Sequence, residues 1–199
     1  NAEDLIRRTI SLHALGIEKR HLKELFAYNE IDEHNFKHIL HKITRQVERI
    51  ETNIAQIKTF EEKNSYDFYE NIALKFQKKY TYIDEYVRNR AKLIITRKVI
   101  KELHELKEID FGFDKKVFDE VIDLYEKFNA MAEERKNKCF SEHKIKILSV
   151  ESALMEKSIF KLEEKIIWEL YEKEIITPKL YHKFVEEIEE NINKDVRFL

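Results

Sequence analysis

The chain has 199 residues, with 37 Lys and Arg against 39 Asp and Glu, so with a formal net charge of −2 nothing global predicts nucleic-acid binding. Two Gly and one Pro are too few turn formers for a sheet-rich or loop-rich fold, and a single Cys139 excludes an internal disulfide pair and suits a reducing compartment. No stretch of eighteen apolar residues or signal peptide is evident, so these residues are expected to form a water-soluble domain.

The apolar residues recur at steps of three and four, which predicts helices throughout. A short helix is expected over 3–14, interrupted at Gly16, and a second over 18–29 with Leu22, Leu25 and Phe26 inside. Asp32 is placed to cap a third helix over 33–62, whose stripe is Phe36, Ile39, Leu40, Ile43, Val47, Ile50, Ile54 and Ile57. Asn64-Ser65 is the next break. From Ser65 one very long helix is expected to reach Glu108, its inner side marked by Phe68, Ile72, Phe76, Ile83, Val87, Ile94 and Leu103. Such length points to an elongated bundle, a coiled hairpin or a dimer surface.

Phe111-Gly112-Phe113 reads as a turn and Asp114 as a cap, followed by the face Val117, Val121, Leu124 and Phe128. Ser141 is expected to cap a helix over 142–174, with Ile145, Leu148, Ser152, Met155, Ile159, Leu162, Ile166, Trp168 and Leu170 on its packing faces. Thr177-Pro178 starts a last helix to about 193, because Thr caps and Pro at the first helical position loses no hydrogen bond. The fold class is therefore all-α: an elongated helical bundle of long antiparallel helices and helical hairpins. A single domain over 1–199 is expected, with hairpin subregions 18–62, 66–138 and 142–193.

One pattern occurs at both ends of the chain. Glu24-Leu25-Phe26, Ile31-Asp32, Phe36, Ile39 and Ile43 match Glu169-Leu170-Tyr171, Ile176-Thr177, Tyr181, Phe184 and Ile188 at a constant offset of 145 residues. The shared unit is a helix end, a tight turn, a capping residue and a second helix. Glu102-Leu103 and Ile109-Asp110 suggest a third copy, in which Phe118 corresponds to Phe36 only after an insertion containing Gly112.

Chemistry-bearing residues do not assemble into a motif. His34, His38 and His41 share one side of their helix and could contribute to a metal shell, but that side lies opposite the core stripe and reads as a solvent face. Glu61-Glu62, Glu163-Glu164 and Glu186-Glu187 lack the cleft and the separated environments that acid–base chemistry needs. Arg88, Arg90, Lys92, Arg97, Lys98 and Lys101 form a basic interval with no acidic residue, but their spacing distributes them around several sides of a helix. Tyr66, Tyr69, Tyr80, Tyr82, Tyr86 and Trp168 are read mainly as packing residues, and Cys139 with His143 lacks an orienting third group. No catalytic, cofactor-binding or metal residue is assigned, no cofactor is expected, and the domain is read as non-enzymatic. A homodimer is expected from helix length and the prevalence of two-fold assemblies; no nucleic acid is expected as partner.

The stretch from Glu169 to Ile188, Glu-Leu-Tyr-Glu-Lys-Glu-Ile-Ile-Thr-Pro-Lys-Leu-Tyr-His-Lys-Phe-Val-Glu-Glu-Ile, resembles a helix-turn-helix element in the C-terminal cytosolic domain of bacterial monovalent cation/proton (Na⁺/H⁺) antiporters, and Glu24 to Ile43 is similar to it. The resemblance implies a transmembrane transporter preceding this region, exchanging Na⁺ or another monovalent cation for H⁺. The present residues would then be a regulatory or assembly domain at the cytoplasmic side of the inner membrane, touching the transmembrane portion of the same protein. The family's ion-binding carboxylates lie in that portion, so the resemblance assigns no transport residue here. A cytosolic helical adaptor unrelated to transport is the alternative.

Overall fold

The computed structural model describes residues 2–52, 81–109 and 114–195. Among these, all regular structure is helical: α1 spans Ala2–Ala27, α2 Glu33–Glu51, α3 Tyr82–Lys107, α4 Lys115–Glu172 and α5 Pro178–Asp195. The expected stripe residues Ile54, Ile57, Phe68, Ile72 and Phe76, the Asn64-Ser65 break and the Phe111-Gly112-Phe113 turn lie outside the described residues.

Three expected boundaries are corrected. Gly16 does not interrupt α1, because Leu15 and Ile17 on either side are both fully buried and hold the helix through it. Their burial contributes roughly 1.5–3 kcal/mol each, more than the ~1 kcal/mol a mid-helix glycine costs. The long helix expected from Ser65 has a start signal inside it. Thr81 accepts from the Asp84 amide and Asp84 accepts from the Thr81 amide, a reciprocal capping box that begins α3. Ser141 caps nothing. Its hydroxyl donates back to the Lys138 carbonyl, and α4 continues to a kink at His143, where φ is −135° and ψ 33°.

The core is made by α1, α2, α3 and the first part of α4. Ile10, Ala14, Ile17 and Leu22 of α1 meet Val87, Ile95, Val99 and Leu103 of α3 and Phe118, Val121, Ile122 and Tyr125 of α4. Ile39, Ile43 and Ile50 of α2 close one side. Helix α3 runs antiparallel to α4, with Lys107 bonded to Asp119 near one end and Tyr86 to Glu151 near the other. Tyr86, Cys139 and Ile147 form a small satellite core around the kink. Beyond it, α4 pairs with α5 as a hairpin in which Ile188 is buried, while Val150 and Leu154 of α4 pack on the main core and Lys165 donates to Tyr28.

Candidate functional site

The two terminal matches fold into the same kind of turn, closed by the same pair of backbone hydrogen bonds. At the end of α1, the Glu30 amide donates to the Leu25 carbonyl at 2.9 Å and the Asn29 amide to Phe26 at 3.1 Å. At the end of α4, Ile175 donates to Leu170 at 2.9 Å and Glu174 to Tyr171 at 2.9 Å. These paired bonds satisfy the last helical carbonyls and require one left-handed residue. That residue is Asn29 (φ 56°) in the first copy and Glu174 (φ 57°) in the second, again 145 apart. Asp32 then accepts from the Asn35 amide, and Thr177 accepts from the Leu180 amide. The aromatic pairs match too: Phe26 stacks on Phe36 with centroids 4.4 Å apart, and Tyr171 on Tyr181 at 4.7 Å.

The third copy does not share this turn. At the end of α3, Glu108 donates to Glu105 and stays in the right-handed helical region, and Ile109 donates to Leu106. Neither Glu108 nor Ile109 makes the bond over five residues that closes the other two turns.

The two matching hairpins differ in what covers them. Ile10, Ala14 and Ile17 of α1 are buried by α3 and α4. Their counterparts 145 residues on, Met155, Ile159 and Leu162, are 67%, 45% and 48% exposed. Ile145, Leu148 and Ile166 continue the open strip, so the side of α4 expected to pack instead faces outward. Asn35, fully buried in the first hairpin, donates to Asp32 at 2.6 Å and to Asp84 at 3.1 Å, joining the cap of α2 to the cap of α3. Its counterpart in the second hairpin is the exposed Leu180.

Polar networks tie the covered hairpin to the bundle. The His21 ring nitrogens lie 2.6 Å from Glu24 and 2.6 Å from Glu102, and Arg20 also donates to Glu102. Carboxylates only accept, so both ring contacts are hydrogen bonds when the imidazole carries two protons. Burial pushes the Glu102 carboxyl up, but hydrogen bonds from Arg20 and His21 pull it below the ordinary carboxylate value. Asp84 is likewise pushed up by burial and brought below its usual value by Thr81, Asn35 and nearby Arg88. Tyr125 donates to Glu18, and Tyr86 to Glu151; burial and then the facing carboxylates raise both phenols.

Among the described residues, the candidate reactive side chains are dispersed. His34 and His41 are exposed and His38 half-buried on α2, and among the described residues no three His, Cys, Asp or Glu side chains are grouped to hold a metal ion. The basic interval is divided: Arg88 is buried, Arg90 pairs with Glu30 at 3.1 Å, Arg97 with Glu133 at 3.2 Å and Lys101 with Glu105 at 3.8 Å. Burial raises the Cys139 thiol, helped by Glu85 and Glu142, which disfavours the nucleophilic thiolate. His143 stacks on Tyr82 with centroids 3.9 Å apart. Tyr66, Tyr69, Tyr80 and Glu61-Glu62 lie outside the described residues, while Trp168 is half-exposed beside Tyr171 and Tyr181. The His21–Glu102 and Asn35–Asp84 links were not anticipated from sequence, since their partners are far apart along the chain. No described helix is long and apolar enough to cross a membrane.

No protein-family model, curated protein or solved structure matches the chain.

Proposed function

We propose that this chain is a non-catalytic assembly domain, and that it serves as the cytosolic regulatory tail of a bacterial monovalent cation/proton antiporter. The observation that carries the assembly reading is the outward apolar strip from Ile145 to Ile166 on α4. Support for the antiporter attribution is the resemblance of Glu169–Ile188 and Glu24–Ile43 to the helix-turn-helix element of such tails. The tail acts by holding subunits together or by biasing the transporter between conformations, with no chemical step of its own.

Transport by the full native protein, compared with a version lacking this region, is the test. Changed rate, cation affinity or pH dependence supports the regulatory reading; identical transport across pH rejects it. The alternative, a helical adaptor outside any transporter, is favoured by the same open strip. It predicts a native reading frame with no set of apolar helices joined to this region.

A further inference from the structure

We propose that the open strip of α4 is a docking surface for a second copy of this chain, paired antiparallel about a two-fold axis near residue 157. The proposal rests on the assembly reading above and is independent of the antiporter attribution.

The first argument is the internal match. In the first hairpin, the face made by Ile10, Ala14 and Ile17 is closed by helices α3 and α4. The equivalent face of the second hairpin has the same secondary structure and the same turn, but those helices are already used. A further helix is what fits it.

The second argument is the pattern on the strip. After the kink at His143, Ile145, Ser152, Ile159 and Ile166 alternate with Leu148, Met155 and Leu162 at steps of three and four. Apolar residues at both core positions, broken by Ser152 at one, make a coiled-coil seam whose direction is left to the flanking charges. The six large apolar side chains, all exposed, would together bury roughly 1,000 Å² across two copies, near the lower limit for a specific interface.

The third argument is charge, which selects both direction and register. In a parallel pair, Glu151 of each copy faces Glu156 of the other, and no opposite charges meet. In the antiparallel register centred at residue 157, Leu148 packs on Ile166 of the other copy and Met155 on Ile159. Lys144 then faces Glu172, and Glu151 faces Lys165, each pair occurring twice. Lys144 and Glu172 are exposed; Glu151 and Lys165 also bond Tyr86 and Tyr28 of their own chain. A heptad slip one way puts Lys144 against Lys165, and a slip the other way puts Glu151 against Glu172. The cost of the favoured register is Glu156 against its own copy at the axis, where both carboxylates reach water.

The test combines mass and distance on the 199-residue chain. Sedimentation equilibrium is expected to show a concentration-dependent dimer, and Ile159→Glu with Leu162→Glu is expected to leave a monomer with unchanged helical circular dichroism. Lys144→Glu is expected to weaken the dimer roughly three- to tenfold, and adding Glu172→Lys to restore it. Spin labels on Leu148→Cys are expected about 27 Å apart along the axis, eighteen residues at 1.5 Å each, whereas a parallel pair holds them within about 15 Å. A monomer at every concentration, a dimer indifferent to the strip substitutions, or the short label distance overturns the proposal. A monomer would leave the transport comparison to stand or fall by itself, and unaltered transport with an intact dimer would reject only the regulatory reading.

Discussion

The two ends of the molecule run the same local program to different outcomes. Both use a left-handed residue, a paired set of turn hydrogen bonds, a capping side chain and a stacked aromatic pair to reverse a helix. The first hairpin is then locked into a four-helix core, with Asn35 bridging two caps and His21 bridging two carboxylates. The second is held by the pairing of its own two helices, by Val150 and Leu154 against that core and by Lys165 on Tyr28, with its equivalent apolar face open. Local sequence therefore sets the shape of the hairpin, while the residues that leave its flank, Asn35 against Leu180 or His21 against Ile166, set what it binds.

Substitution at matched positions separates the two most strongly. Ile17→Ala opens a cavity at a residue 2% exposed and is expected to cost about 2–4 kcal/mol in urea unfolding. Its counterpart Leu162→Ala is expected to cost less than about 1 kcal/mol at dilutions where the chain is monomeric. Equal losses would show that the second strip is covered within one chain.

Acid is expected to weaken the covered hairpin first. Glu102 and Asp84 have carboxyls lowered on folding. Their contribution is present above the unfolded carboxylate value near 4 and is lost as pH falls through the lower folded values. The thermal midpoint should drop as pH falls below about 4, and Glu102→Gln should lower it at neutral pH and flatten that drop. A drop of the same size in the variant would remove Glu102 from the account.

The turns offer the finest comparison. Glu174 carries a side chain in the left-handed region, where a non-glycine residue costs roughly 1 kcal/mol, whereas Asn29 is better tolerated there. Glu174→Gly is therefore expected to stabilise by up to about 1 kcal/mol, and Asn29→Gly by a few tenths. The reverse order, read from chemical denaturation, would mean that the two turns are not equivalent.

Much of this was legible in the sequence. Steps of three and four mark the stripes of α2 and the start of α4 and, at Val87 and Leu103, that of α3, but miss Ala91, Ile95 and Val99; Asp32, Asp114 and Thr177 are start signals legible in the sequence. The 145-residue offset marks both turns. Boundaries failed where packing overrode local preference, as at Gly16, or where a small polar residue offered two bonding choices, as at Ser141. Periodicity shows that a helix has an apolar side, but it does not show which neighbour reaches it; Met155 and Ile159 read the same whether covered or open. The Arg20–His21–Glu102 and Asn35–Asp84 contacts join residues tens of positions apart, and no local spacing encodes them.

The direct measurement of the difference between the hairpins is amide hydrogen exchange on the whole chain at several protein concentrations. Peptides from residues 145–169 are expected to gain protection as concentration rises, while those from 2–27 stay equally protected throughout. Exchange over 145–169 that does not change with concentration would contradict the assignment of that strip to assembly.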